Sequence, residues 1–95
     1  MATPEEVKRD VGAWLREHLG VEVDFEEDFD REEVKLKVSG TRPLQLISLP
    51  RFVTDRQQTE DLIAMLEQDQ VVELLQSGEH WKGRLTQHGM QWTDD

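Results

Sequence analysis

Three features of this 95-residue chain predict an α+β fold: a capped amphipathic segment at its start, two stretches of alternating apolar and charged residues, and a return to helical spacing after residue 54. The expected architecture is an N-terminal helix, a three-stranded antiparallel sheet, two C-terminal helical segments and a short C-terminal strand or hairpin. At this length, residues 1–95 read as a single domain with one modest core.

The first helix is the most strongly signalled element. Thr3, Pro4 and Glu6 fall at the N-cap, first and third helical positions, a capping box with a proline where its missing N–H costs nothing. Val7, Val11, Trp14, Leu15 and His18 then recur at helical spacing, and Gly20 supplies a left-handed stop. Val21, Val23 and Phe25 alternate with Glu22 and Asp24, and Val34, Leu36 and Val38 alternate with Lys35 and Lys37, the period of two half-buried strands. An antiparallel register with Phe25 opposite Val34 pairs Asp24 with Lys35 and Glu22 with Lys37 on the wet face.

A turn over residues 39–42 leads to a third strand, Leu44 to Leu49, bracketed by Pro43 and Pro50. Leu46 and Ile47 are adjacent, so both faces are apolar and the strand is central or covered on both sides. Phe52 and Val53 would extend it past a kink. From Thr54 or Asp55 the spacing is helical, with Gln58 completing a cap on Asp55. Leu62, Ile63, Met65 and Leu66 point one way while Val71, Val72, Leu74 and Leu75 point the other. A break near Gln68 to Gln70 is therefore expected, with Asp69 capping a second helix that stops at Gly78; the alternative is one long helix whose second cluster meets another chain. Trp81, Gly83 and Leu85 alternate with Lys82, Arg84 and Thr86, and His88 with Gly89 marks a turn towards Met90 and Trp92; Trp81, Leu85, His88 and Trp92 also fit a helix, and Gly83 and Gly89 favour the strand.

Composition narrows the function. The formal charge is −10 and 34% of residues are charged, against about 25% in an average protein, which disfavours nucleic-acid phosphate and anionic membrane as direct partners. No cysteine is present to form a disulfide, thiol nucleophile or thiolate metal site. No signal-peptide pattern or membrane-length apolar run appears, so a cytoplasmic protein is the expectation.

Eight acidic side chains fall between Glu22 and Glu33. Read as a calcium loop from Asp24, the run puts Phe29 where the turn needs glycine and Lys35 where a bidentate glutamate belongs; read from Asp28, Glu33 and Ser39 fail likewise. His18, His80 and His88 have no metal-ligand spacing, and no phosphate loop, nucleophile elbow or HExxH motif occurs. Trp81, Lys82, Arg84 and Trp92 mix aromatic and basic groups, but with too few cations for nucleic-acid binding. Neither a catalytic residue, a metal site nor a cofactor is expected.

What remains is a surface. Glu26, Glu27, Asp28, Asp30, Glu32 and Glu33 crowd a hairpin tip around Phe29. Such a tip is either a solvated turn that guards a sheet edge or an acidic lobe with an aromatic anchor that docks on a basic protein. The functional reading is a non-enzymatic interaction module, an adaptor or small chaperone-like protein, using Glu26, Glu27, Asp28, Phe29, Asp30 and Glu32, with Val71 and Leu75 of the second-helix cluster as a further contact or a homodimer seam. The alternative is a nucleic-acid mimic, which would need periodic carboxylates along a face. In element order alone the expected helix, three strands and helix is similar to double-stranded-RNA-binding domains and to small acidic secretion chaperones. The segment TDRQQTED, with one arginine where the former use a lysine cluster, argues against RNA binding.

Overall fold

In the computed structural model, residues 2–40 and 44–93 are described. Thr41, Arg42 and Pro43, expected to complete the turn into the third strand and bracket it, lie outside the described residues.

The chain opens with α1 (Pro4–Glu6), a π-helical turn (Val7–Val11) and α2 (Gly12–Leu19), which follow one another without a break. The expected capping box forms: the Glu6 amide donates to Thr3 Oγ1 at 3.2 Å and the Thr3 amide to Glu6 Oε1 at 3.0 Å. Gly20 ends the helix at φ 72°. Val7, Val11 and Leu15 are fully buried.

Five strands form one mixed sheet in the order β1 (Val23–Asp28), β2 (Glu33–Val38), β3 (Gln45–Pro50), β4 (Lys82–Thr86), β5 (Gly89–Trp92). This corrects the expected three-stranded antiparallel sheet. β4 lies parallel to β3, with Ile47 beside Gly83, and β5 pairs back on β4. A parallel partner has to arrive through a long crossover, so local periodicity identifies the strand without identifying its neighbour. β3 sits at the centre, one of the two places its two-sided apolar pattern allows.

The β1–β2 register is also corrected. Phe25 stands opposite Leu36 and Glu26 opposite Lys35, two residues from the expected pairing. A shift of two leaves every side chain on its own face, so the apolar pattern cannot tell the registers apart. The turn decides: Asp28 Oδ1 accepts the Arg31 amide at 3.1 Å, Glu32 adopts φ 51°, and the strands run on to Asp28 and Glu33.

After Pro50 the chain turns helical in α3 (Arg51–Thr54) instead of extending the strand through Phe52 and Val53. The Asp55 amide donates to the Arg51 carbonyl at 2.8 Å, and Val53 is buried while Phe52 stays exposed. In α4 (Thr59–Gln68), Gln58 is itself the cap, in a reciprocal box with Asp61, so Asp55 is not the cap of this helix. The break falls where expected, with Gln70 left-handed at φ 56°, and α5 (Val71–Ser77) stops at Gly78. Asp69 does not cap α5; its carboxylate accepts the Met90 amide at 2.5 Å.

The buried side chains of the helices and of Val34, Leu36, Ile47, Leu49 and Leu85 form one cluster. Gln45, on the same face, donates from Nε2 to the Leu75 carbonyl at 2.6 Å near the end of α5. The opposite face of the sheet carries Asp24, Glu26, Asp28, Lys35, Lys37, Lys82 and Arg84 by alternation. No helix among the described residues is long and apolar enough to cross a membrane.

Candidate functional site

The acidic run divides into two groups. Strand alternation puts Glu26 and Asp28 on the open face of β1 with Glu33 of β2 nearby, where cations of the neighbouring strands meet them. Lys37 Nζ is hydrogen-bonded to Glu26, Lys35 Nζ lies 3.2 Å from Asp28 and 4.0 Å from Glu33, and Arg84 Nε is 3.8 Å from Glu33. The Lys37 hydrogen bond holds the Glu26 carboxyl below the usual carboxylate range. Asp28 is lowered first by the Arg31 amide and then by Lys35. The Glu33 side chain is only 4% exposed, so its two cations compensate a desolvated charge.

Glu27, Asp30 and Glu32 are different: among the described residues none of them makes an ion pair. Glu27 and Glu32 line a cleft of about 230 Å³ between the hairpin end and the β3–α3 junction, and Asp30 follows Phe29 in the adjoining turn, outside that lining. Ala2, Pro4, Val34 and Leu49 give the cleft apolar lining; Asp28, Glu33 and Asp55 add carboxylates to those of Glu27 and Glu32, and Arg51 adds one cation, 3.9 Å from Asp55. Two main-chain bonds hold its walls together, Arg51 N–H to the Glu32 carbonyl at 2.8 Å and Ala2 N–H to the Thr54 carbonyl at 2.9 Å. Phe29 also lines it and is 81% exposed.

Val71 and Leu75 stand elsewhere. They are 0% and 1% exposed within the chain, and Val72 is buried beside them. The kink at Asp69 and Gln70 turns the second apolar cluster inward onto the same core as Leu62 and Leu66. The structure thus gathers Glu27, Asp28, Phe29 and Glu32 at one cleft, leaves Asp30 in the adjoining turn, pairs Glu26 with Lys37 on the sheet, and places Val71 and Leu75 in the interior.

Two of the three histidines have side-chain partners within the chain. His18 Nδ1 donates to the Trp14 carbonyl at 2.8 Å, and His80 stacks on Trp92 with ring centroids 4.7 Å apart. Among the described residues no group of three or more His, Asp and Glu side chains is arranged to hold a metal ion.

Sequence reasoning missed a second concavity. Lys8, Arg9 and Arg16 of the first helix border a groove of about 540 Å³ floored by Val23, Phe25 and Leu36. The available signal was the spacing of Lys8, Gly12 and Arg16, four residues apart on one helix face; it is hidden when cations are counted against a total of −10.

The chain matches no protein-family model, no curated protein and no solved structure, so its functional reading rests on its own residues.

Proposed function

We propose that this chain is a non-enzymatic interaction module, acting in the cytoplasm, that docks on a basic protein by receiving a lysine or arginine side chain in the cleft beside its acidic hairpin. One observation carries the reading. The protein pairs Glu26, Asp28 and Glu33 with its own cations, whereas among the described residues Glu27 and Glu32, which line the cleft beside an exposed phenylalanine, and Asp30 in the adjoining turn make no ion pair. A long cationic side chain suits that lining, its methylene stem against Pro4 and Phe29 and its head beside Glu27 and Glu32. The volume argues in the same direction, since small-molecule sites enclose roughly 300–1,000 Å³ and this cleft is smaller. Unpaired carboxylates on a protein of charge −10 would also steer a basic partner, raising its association rate at low salt.

The nucleic-acid-mimic alternative would use a row of free carboxylates. Asp24, Glu26 and Asp28 do form a row on β1, but Lys35 and Lys37 occupy two of the three, and no other feature favours mimicry.

The test compares two charge-matched variants in affinity capture from native lysate at low salt. Glu27→Gln, Asp30→Asn and Glu32→Gln should release a basic partner that the wild type retains, while Glu22→Gln, Asp24→Asn and Glu26→Gln should retain it. Equal retention by both variants, or no partner retained by the wild type, would refute the proposal.

A further inference from the structure

We infer that the outer edge of β1 and the cationic stripe of the first helix together form a strand-addition site. Its ligand would be an extended segment of a partner protein that turns carboxylates towards the helix and cations towards the open face of the sheet. This site meets the hairpin cleft at Glu27 but does not rest on the reading of that cleft.

The main chain supplies the first half. The Ser39 amide donates to the Glu22 carbonyl at 3.0 Å, and these residues stand opposite one another in the register that pairs Val23 with Val38. Hydrogen-bonded and non-bonded pairs alternate along an antiparallel ladder. Glu22, Asp24, Glu26 and Asp28 therefore point their peptide groups at β2, and Val23, Phe25 and Glu27 point theirs outward. β1 ends the sheet, so among the described residues no strand takes those groups. An extended peptide can pair with such an edge.

Side chains supply the second half. Val23 and Phe25 face the helix and floor the groove, whose rim carries three cations, Lys8, Arg9 and Arg16, and one acid, Glu5. Arg9 is committed to Asp10, with contacts of 2.8 and 3.2 Å. Lys8 and Arg16 make no ion pair among the described residues; Lys8 Nζ rests 5.7 Å from the centre of the Phe25 ring. Eight helical residues rise about 12 Å and four strand residues span about 13 Å, so on a strand added alongside the helix, carboxylates four apart would match the spacing of Lys8 and Arg16. On the other face, Asp24, which makes no ion pair among the described residues, favours cations on the intervening positions, while Glu26 already holds Lys37. Such a segment is nearly neutral overall, which spares it the repulsion that an acidic peptide would meet from a chain of charge −10. A second copy of β1 does not qualify, because Asp24, Glu26 and Asp28 would face acids of the same row.

The probe is the capped peptide Thr-Glu-Lys-Val-Lys-Glu-Thr, whose glutamates share one strand face and whose lysines share the other. Titrated at millimolar concentration, it should shift the NMR amide signals of Val23, Phe25 and Glu27. The Lys8→Gln, Arg16→Gln double variant should bind about fivefold more weakly, the effect of losing two exposed ion pairs; its circular dichroism and thermal midpoint should stay those of the wild type, since both side chains are exposed. Thr-Lys-Lys-Val-Glu-Glu-Thr, which mixes the charges on both faces, should bind more weakly than the probe. Methylating one alternating set of peptide nitrogens should abolish binding and methylating the other should not. Absence of binding, equal affinity for the shuffled peptide or for both methylated forms, or reproduction of the shifts by inorganic phosphate would each overturn the inference, the last by revealing a small-anion site.

Discussion

Replacing Asp69 with alanine tests how the helical layer is fastened to the last hairpin. The Asp69 carboxylate sits at the α4–α5 kink and accepts the half-buried Met90 amide at 2.5 Å. Gly89, at φ 115°, leaves room for it, since a Cβ there would lie 2.6 Å from Asp69 Oδ2. Removing the carboxylate deletes a charge-assisted hydrogen bond and leaves a partly buried donor without its partner, at a cost of about 1.5–3 kcal/mol. The contact is incompletely buried, so the lower half of that range is expected. For a domain of this length, where 1 kcal/mol moves the melting midpoint by about 4–8 °C, a loss of about 1.5–2 kcal/mol means a fall of roughly 6–16 °C. Urea unfolding followed by tryptophan fluorescence measures the loss directly, and amide exchange at Met90 localises it. The Asp69→Asn variant keeps an acceptor without the charge and should lose about half as much. Serine is the discriminating replacement, because it can cap a helix but cannot reach Met90, so Asp69→Ser should behave like alanine. A loss below about 0.5 kcal/mol, or recovery by serine, would refute this assignment and restore a capping role.

Four further outcomes are expected. Phe29→Ala should leave urea stability within about 0.5 kcal/mol, as at other exposed sites, while weakening retention of the basic partner in the capture assay. Leu75→Ala, at a position 1% exposed, should cost about 2–5 kcal/mol by calorimetry; a near-neutral result would place that side chain at the surface. Gln70→Gly should raise stability by about 0.5 kcal/mol, because relief of a left-handed residue outweighs the extra chain entropy of glycine. Asp10 is held at about 2, from 3.8, by hydrogen bonds from Arg9 and Thr59. Its folded pKa is depressed, so its contribution is fully present above pH 4 and fades as the pH falls towards 2. Asp10→Asn should flatten that part of the acid-unfolding curve.

Much of this structure is written locally. The capping box at Thr3, the alternation on either side of the acidic run, the kink forced by opposed clusters at Leu62 and Val71, and the turn at His88 and Gly89 each follow from neighbours in sequence. What is not written locally is pairing at a distance. Nothing near Gly83 says that Ile47 lies beside it, and a two-residue slip between β1 and β2 leaves the burial pattern unchanged. Of the candidate site, the acidic tip and its phenylalanine are legible. The division between paired and unpaired carboxylates is not, because it depends on the register that carries Lys35, Lys37 and Arg84 to their partners. Asp69 misleads for a related reason: an aspartate before a helix has a ready local use, and its distant one needs β5 in place.

The parallel seam between β3 and β4 also has a kinetic consequence. β1, β2 and β3 can zip together as a meander while they emerge from the ribosome, but residues 51–81 must be made before β4 can begin to cover the exposed side of β3. At synthesis rates of about 5–20 residues per second, that interval is roughly 2–6 s. For those seconds Ile47 and Leu49, later fully buried, lie along an open strand edge, and it is during translation, more than in the finished molecule, that this chain is most exposed to aggregation.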